Sequence, residues 1–265
     1  MNQPLGPPPS LTLVIPCYNE ARRLSLPELA AFLDAAPSRC LVLVDDGSTD
    51  STGWLLAGLA GERPGEVRVL TLSPNQGKAA AVRQGLLAAL AEGPELVGYW
   101  DADLAAPLAE AAPMAAHLAA RPGLEAVLAA RVGLLGRDIQ RNLARHYLGR
   151  AGATLISWLL DLAVYDTQCG AKLFRAGPRL ARVLEQPFQA RWLVDVEIIL
   201  RYLAQAGPDF DPTRALVEYP LETWRDVPGS KLGPGAYPRS LADLVRLGRT
   251  YGRGGRGGRR AVVAR

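Results

Sequence analysis

Two carboxylates one residue apart, Asp101 and Asp103, follow an apolar run at residues 96–100. At the carboxyl end of a buried strand such a pair can jointly hold a divalent cation. Hard ions such as Mg²⁺ or Mn²⁺ take oxygen ligands and leave room for substrate phosphates. Alone, an Asp-X-Asp is a weak signal, because exposed acidic turns are common. Position gives it weight, since residues 16–20, 45–50 and 75–78 form further acidic or Gly-containing turns, each after a predicted strand. Together the turns outline a pocket for a nucleotide diphosphate.

Other residues carry chemistry by their setting. Asn75-Gln76-Gly77-Lys78 opens a helix, where free backbone N–H groups attract an anion. Lys78 is therefore a candidate for approaching a substrate phosphate, with a plain helix start as the alternative. Asp50 suits the cap of the helix that begins near Thr52. Asp195 and Glu197, two apart on a predicted helix, face different directions. Asp195 is favoured as facing the site and Glu197 is read as a surface charge. Arg137, Arg141 and Arg145 are spaced by four, with Leu143, Leu148, Leu155, Leu159 and Leu160 nearby. On one helix face they would form a basic amphipathic surface able to lie on a membrane without crossing it; an ordinary domain helix is the alternative.

The elements that must position these residues alternate in type. Strands are predicted at 11–15, 40–44, 67–72 and 96–100, and helices at 26–36, from Thr52, and at 78–91. This alternation predicts parallel strands with right-handed crossovers and ligands outside their carboxyl ends. The informative turns all fall there. In the second half, strands are expected at 127–131, 171–174 and 217–220 and helices over 137–162 and 192–206. The expected fold class is α/β, with a mixed central sheet between helices. Residues 1–10 read as a Pro-rich disordered lead-in, 11–238 as one domain, and 239–265 as a basic helix followed by a disordered Gly/Arg tail.

Bulk properties narrow the classes. A chain of 265 residues that is 49% hydrophobic and 21% charged is globular. The longest apolar stretch, residues 151–164, is broken by Asp161 and too short to span a bilayer. No basic region followed by an apolar run marks a signal peptide at the N-terminus. Cys17, Cys40 and Cys169 lack metal-ligand spacing and read as thiols in a reducing cytoplasm. From Arg239 onward eight arginines stand against Asp243, a net +7, so the formal total of +4 leaves −3 on residues 1–238. Such a tail suits anionic lipid or nucleic acid. It lacks the interleaved aromatics of a stacking platform apart from Tyr251, which argues against nucleic acid.

Jointly, Val14-Ile15-Pro16-Cys17-Tyr18-Asn19-Glu20, Val44-Asp45-Asp46-Gly47-Ser48-Thr49-Asp50, Asn75-Gln76-Gly77-Lys78 and Asp101-Ala102-Asp103 resemble the inverting family 2 glycosyltransferases of GT-A fold. Three further segments are similar to the dolichyl-phosphate β-glucosyltransferase branch: Asp166 through Phe174, Arg191 through Glu197, and Trp224 through Leu232. Ala171 departs from that branch, standing where it has an aromatic. The resemblance covers roughly residues 11–232.

The resemblance implies a nucleotide-sugar donor and a divalent metal, Mg or Mn, held by Asp101 and Asp103. Pro16, Tyr18 and Glu20 would line the nucleotide cleft, and Asp46 would read the uracil or ribose edge. Arg131 would stand near the donor phosphates, and Lys231 would belong to a loop closing on the diphosphate, with a solvated loop lysine as the alternative. Asp166 would be a base or an acceptor-orienting carboxylate, with Asp195 also catalytic. Arg137 and Arg141 would meet a lipid phosphate at the membrane. The expected activity is transfer of a hexose, glucose from UDP-glucose, to a polyprenyl or dolichyl phosphate on the cytoplasmic face of a membrane. A soluble or glycolipid hydroxyl as acceptor is the alternative within the class, and a GDP-mannose user would share nearly every motif. A silent nucleotide-sugar sensor would not need Asp103, Lys231 and Asp166 together.

Overall fold

The computed structural model describes residues 9–140, 154, 157, 164–191, 193–227 and 236–251. Its centre is a seven-stranded sheet of order β3-β2-β1-β4-β7-β5-β8. The strands are β1 (Leu11–Cys17), β2 (Arg39–Asp45), β3 (Val67–Thr71), β4 (Leu96–Trp100), β5 (Ala126–Ala130), β7 (Ala171–Arg175) and β8 (Leu216–Pro220). Neighbours in the first half run parallel, whereas β7 lies antiparallel between β4 and β5. A second, two-stranded sheet pairs β6 (Asp138–Gln140) with β9 (Thr223–Arg225).

The near-continuous apolar runs of β1 and β4 follow from burial on both faces, because a parallel sheet is covered by helices above and below. Alternation then sorts side chains into two cores. Leu11, Leu13 and Ile15 face one side with Leu41, Leu43, Leu96, Trp100, Val127 and Leu173, beneath helices α1 (Leu26–Asp34), α2 (Thr52–Glu62) and α4 (Ala111–Ala119). Val14, Val42, Val44, Val97, Tyr99 and Phe174 face the other, beneath α3 (Lys78–Ala91), α5 (Pro178–Leu184) and α6 (Val194–Leu203). The α3 helix lies directly on the strands: a Cβ at Gly85 would come 2.2 Å from Val14 Cγ1 and 2.9 Å from Val44 Cγ2. Only glycine allows that approach.

The first half matches the sequence reading closely, with α3 and β4 at the expected bounds. The expected helix over 137–162 is corrected at its start. Arg137 precedes strand β6, whose backbone is taken up by β9: Asp138 N donates to Glu222 O at 2.9 Å and Asp226 N to Gln140 O at 3.2 Å. Cross-strand pairing therefore overrides the four-residue arginine spacing there. Thr154 and Ser157 are helical, and the rest of that stretch lies outside the described residues. Helix α6 begins at Val194, two residues later than expected. The C-terminal helix α7 (Ala236–Tyr251) starts before the boundary drawn at 238 and buries Leu244 and Leu247 in the second core. Among the described residues, no helix is long and apolar enough to cross a membrane.

Candidate active site

Strand order reverses between β1 and β4, and the crevice at their carboxyl ends is where open α/β sheets bind ligands. Beyond β4 the chain turns tightly. Leu104 N donates to Asp101 O at 3.0 Å, and the Trp100 indole N–H donates to Ala106 O at 2.7 Å. Ala102 and Leu104 are thereby buried, while Asp101 and Asp103 stay partly exposed at the crevice. Asp101 N donates to Gly170 O at 2.8 Å. The two segments touch so closely that a Cβ at Gly170 would lie 1.9 Å from Asp101 Oδ2.

Beneath the acid pair lies a layer of alternating charge. Lys78 Nζ sits 2.6 Å from Asp101 Oδ1 and 3.9 Å from Asp195 Oδ2. Asp195 Oδ1 in turn accepts from Lys172 Nζ at 2.5 Å and from the Tyr99 hydroxyl. Lys172 is fully buried and also donates to Cys169 O at 2.6 Å. Burial works against the charged forms of Lys78 and Asp195, but their opposite partners win: the lysine pKa is raised and the aspartate pKa lowered. For Asp103 the balance falls the other way, since Arg23 and Lys78 do not offset what opposes its charge. Burial and the neighbouring Asp101 charge both push its pKa up, and Ala105 N donates to it at 3.3 Å. Three carboxylates (101, 103, 195) and two ammoniums (78, 172) thus alternate here, with the Arg23–Glu20 pair beside the acid pair.

That donor set fits a divalent cation. Two hard oxygen ligands one residue apart, where burial and then the Asp101 charge raise the pKa of Asp103, are relieved by a positive ion. Among the described residues, no group of three or more His, Cys, Asp or Glu is placed to hold a metal alone. An ion here would therefore complete its shell with water and substrate phosphate, as Mg²⁺-type sites do.

The remaining expected nucleotide residues sit around the same crevice. Pro16 lies in β1 opposite Val44, and Tyr18 emerges just past the strand, 36% exposed. Glu20 is buried and gripped by Arg23, with Oε2–Nε at 2.8 Å and Oε1–Nη2 at 2.7 Å; its N–H donates to Thr52 Oγ1. Asp50 accepts from Thr52 N at 2.9 Å, but the cap position of α2 is Ser51, so Asp50 steadies the helix start from one residue before the expected cap. Asp46 is buried, and its Oδ1 accepts from Gln76 N at 2.7 Å while Oδ2 accepts from Gly77 N at 2.7 Å and Asn75 Nδ2 at 2.8 Å. Ala79 N donates to Arg191 O at 3.2 Å. The anion expected at the start of α3 is thus supplied by the protein itself, as Asp46. This corrects the expectation that those backbone amides await a substrate phosphate.

Across the crevice, Asp166 and Arg131 form a forked pair. Arg131 Nε and N–H reach Oδ2 at 2.6 and 3.0 Å, and Nη2 reaches Oδ1 at 2.7 Å. Burial raises the cost of ionising Asp166, yet the Arg131 fork outweighs it and holds the carboxyl below its ordinary value. The Arg131 guanidinium stacks 4.9 Å over the Trp224 ring. Glu218 fixes the turn by accepting Tyr165 N and Asp166 N, each at 2.7 Å. Arg131, expected near the donor, is thus paired with Asp166, the carboxylate expected to serve the acceptor.

Asp195 faces the site as expected, but Glu197 is no surface charge. It is fully buried, accepts from Gln189 N and Ala190 N at 2.9 Å each, and pairs with Arg201 at 2.7 Å. Turning away from the crevice in a helix buried all round, it meets structural partners instead of water. Arg137 is not on a helix with Arg141; its Nη1 lies 2.8 Å from Glu222 Oε1. Arg141 and Lys231 lie outside the described residues. Sequence reasoning missed Lys172, Tyr99, Asn19 and Glu218. Lys172 carried a signal: a lysine inside an apolar strand run must find a buried anion. Asn19 Oδ1 accepts from Thr49 N at 2.8 Å and ties the first two turns together, a tertiary contact without a local signature.

Residues 12–176 match the family model described as glycosyl transferase family 2. The dolichyl-phosphate β-glucosyltransferase of Drosophila melanogaster is 31% identical, over 86% of this chain and 71% of its own length. That of Dictyostelium discoideum is 29% identical, over 89% and 73%. Among solved structures, glucosyl-3-phosphoglycerate synthase of Mycobacterium tuberculosis, in complex with Mn²⁺, UDP-glucose and phosphoglyceric acid, superposes with a TM-score of 0.62 at 18% identity, covering 91% of this chain and 80% of that one. A mannosyltransferase of Pyrobaculum calidifontis gives 0.57 at 19% identity, covering 93% and 66%. These two share the fold. Acid pair, charge layer and matched segments converge on one conclusion: the chain belongs to glycosyl transferase family 2, with dolichyl-phosphate β-glucosyltransferases among its relatives.

Proposed function

We propose that this hexosyltransferase moves glucose from UDP-glucose to a polyprenyl phosphate, with inversion at the anomeric carbon. The observation that carries the reading is the Asp101/Asp103 pair at the crevice over the Lys78–Asp195–Lys172 layer. A divalent cation bound by the pair would supply charge neutralisation for the departing diphosphate. Mn²⁺ and UDP-glucose with the mycobacterial fold neighbour, and the names of the relatives, support these choices of metal and donor. The crevice between β1 and β4 seats the nucleotide. Lys78, anchored at the start of α3, is a positive group beside the acid pair, 2.6 Å from Asp101 Oδ1.

The acceptor side favours a phosphate over a hydroxyl. A sugar hydroxyl needs a positioned base to take its proton, and Asp166 is a poor one while Arg131 holds its carboxyl below the ordinary value. A phosphate monoester has its second pKa near 6 and is already a nucleophilic dianion at neutral pH. Asp166 then orients Arg131, the cation of the pair that would meet that dianion. Such an acceptor places the enzyme at a membrane surface, on the cytoplasmic face where nucleotide sugars reside, and the arginines beyond 239 would add attraction to anionic lipid.

The test is a panel of UDP-glucose, GDP-mannose and other nucleotide sugars with Mn²⁺ or Mg²⁺, with and without polyprenyl phosphate vesicles. Nucleotide release from UDP-glucose that rises with lipid phosphate, and not with added sugars, is the expected result. Release stimulated by free sugars or glycolipid alone overturns the acceptor.

A further inference from the structure

The cation position in this crevice already has a positive occupant. Lys78 Nζ holds Asp101 Oδ1 at 2.6 Å. Asp101 packs against Gly170, whose lack of a side chain leaves it room: a Cβ there would lie 1.9 Å from Oδ2 and 2.7 Å from Oδ1. An ion that uses Oδ1, the oxygen farther from Gly170, must compete with the ammonium for it. While the lysine grips it, Asp103 is the single uncommitted carboxylate of the pair, and one carboxylate with water is a weak site for a divalent ion.

We propose that Lys78 is a displaceable internal counter-ion: it holds Asp101 in the empty crevice and releases it to the divalent cation when a donor diphosphate offers the ammonium a new partner. Cation and nucleotide then bind cooperatively. This inference rests on the metal and donor reading given above. The geometry supplies what a handover requires. The start of α3 is pinned by Gly77 N to Asp46 and Ala79 N to Arg191 O, so motion is confined to the lysine side chain. Asp195 Oδ1 is saturated by Lys172 and Tyr99, whereas its Oδ2 lies 3.9 Å from Lys78. An ammonium that leaves Asp101 therefore keeps a carboxylate beside it and is never stranded.

Linkage makes the effect reciprocal: whatever factor UDP adds to cation affinity, the cation adds to UDP affinity. Mn²⁺ binding to the full chain is to be measured by calorimetry and by the free-ion electron paramagnetic resonance signal, alone and with saturating UDP, after correction for Mn²⁺ held by UDP in buffer. In wild type, UDP is expected to tighten Mn²⁺ binding about tenfold or more, within the ordinary 5–150-fold range of coupling. Lys78→Met should bind Mn²⁺ alone about tenfold more tightly than wild type, and UDP should then add about threefold or less. Lys78→Arg, which keeps the charge, should keep the coupling; Lys78→Gln substitutes if the Met variant melts below the assay temperature. Mn²⁺ binding with UDP that is equally coupled in wild type and Lys78→Met overturns this inference alone. Absence of Mn²⁺ binding in wild type even with UDP overturns the metal reading, and the inference with it.

Discussion

Replacing Asp166 by Asn keeps the side chain's shape and removes the charge that Arg131 grips. The two side chains are 8% and 16% exposed, so the guanidinium would be left largely desolvated and unpaired. Removing one partner of a buried pair costs about 3–5 kcal/mol. At about 2–4 °C per kcal/mol for a domain of this size, the melting temperature should fall by about 6–20 °C. The pH dependence follows from the sign of the shift. Asp166 has a folded pKa below its unfolded value, near 3.9 for a free Asp. Its contribution is complete above that unfolded value and is lost as pH falls through the folded pKa. The gap in melting temperature between wild type and Asp166→Asn should therefore be constant from pH 6 to 9 and narrow only below about pH 4. In kcat/KM profiles with polyprenyl phosphate, the acidic limb should stay near pH 6 in both proteins, because it belongs to the acceptor phosphate. Differential scanning fluorimetry and pH–rate profiles measure both. An unchanged melting temperature, with turnover down by about 10³-fold and the limb gone, is the signature of a general base and would refute this reasoning.

Further outcomes follow from single contacts. Glu197→Gln leaves the buried Arg201 without its anion and should destabilise the fold by about 3–5 kcal/mol in denaturant melts, while KM for the donor in the folded protein stays as in wild type. Gly170→Ala must push the Asp101 carboxylate aside, and turnover should fall by about 10²-fold with a melting temperature within a few degrees of wild type. Wild-type turnover in that variant would show that the carboxylate position is not critical. Cys17 and Cys169 are buried, and burial pushes the Cys169 thiol up to about 12, whereas Cys40 is half-buried. A thiol reagent at pH 8 should therefore add to Cys40 alone in the native protein and to all three after unfolding, as counted by intact mass.

The sheet was legible wherever one strand followed another through a helix. Runs such as 96–100 are apolar because both faces are covered, and the acidic turns stand out because they end those runs. Legibility failed where long-range contact overrides local period. The four-residue spacing of Arg137 and Arg141 suggests a helix, but residues 138–140 are claimed by β9, over eighty positions away. Glu197 looked like a surface charge because nothing local announces Arg201 and the Gln189 and Ala190 amides as its partners in a fully buried helix. Asp46 was legible as a candidate for the nucleotide edge, but its protein partners were not. Its bonds to Gln76 and Gly77 join two turns some thirty residues apart, which only the folded sheet brings together. Lys172 was within reach of reasoning, since a charge in the middle of a buried strand demands a counter-charge.

The central claim is that Asp103, with Asp101, supports sugar transfer by holding a cation against the leaving diphosphate. The most direct measurement is transfer from labelled UDP-glucose to polyprenyl phosphate in vesicles with Mn²⁺, comparing wild type with Asp103→Asn. The account predicts a fold preserved by circular dichroism and a rate lower by about 10²-fold or more. Transfer by Asp103→Asn at the wild-type rate, with the same dependence on Mn²⁺, would contradict it.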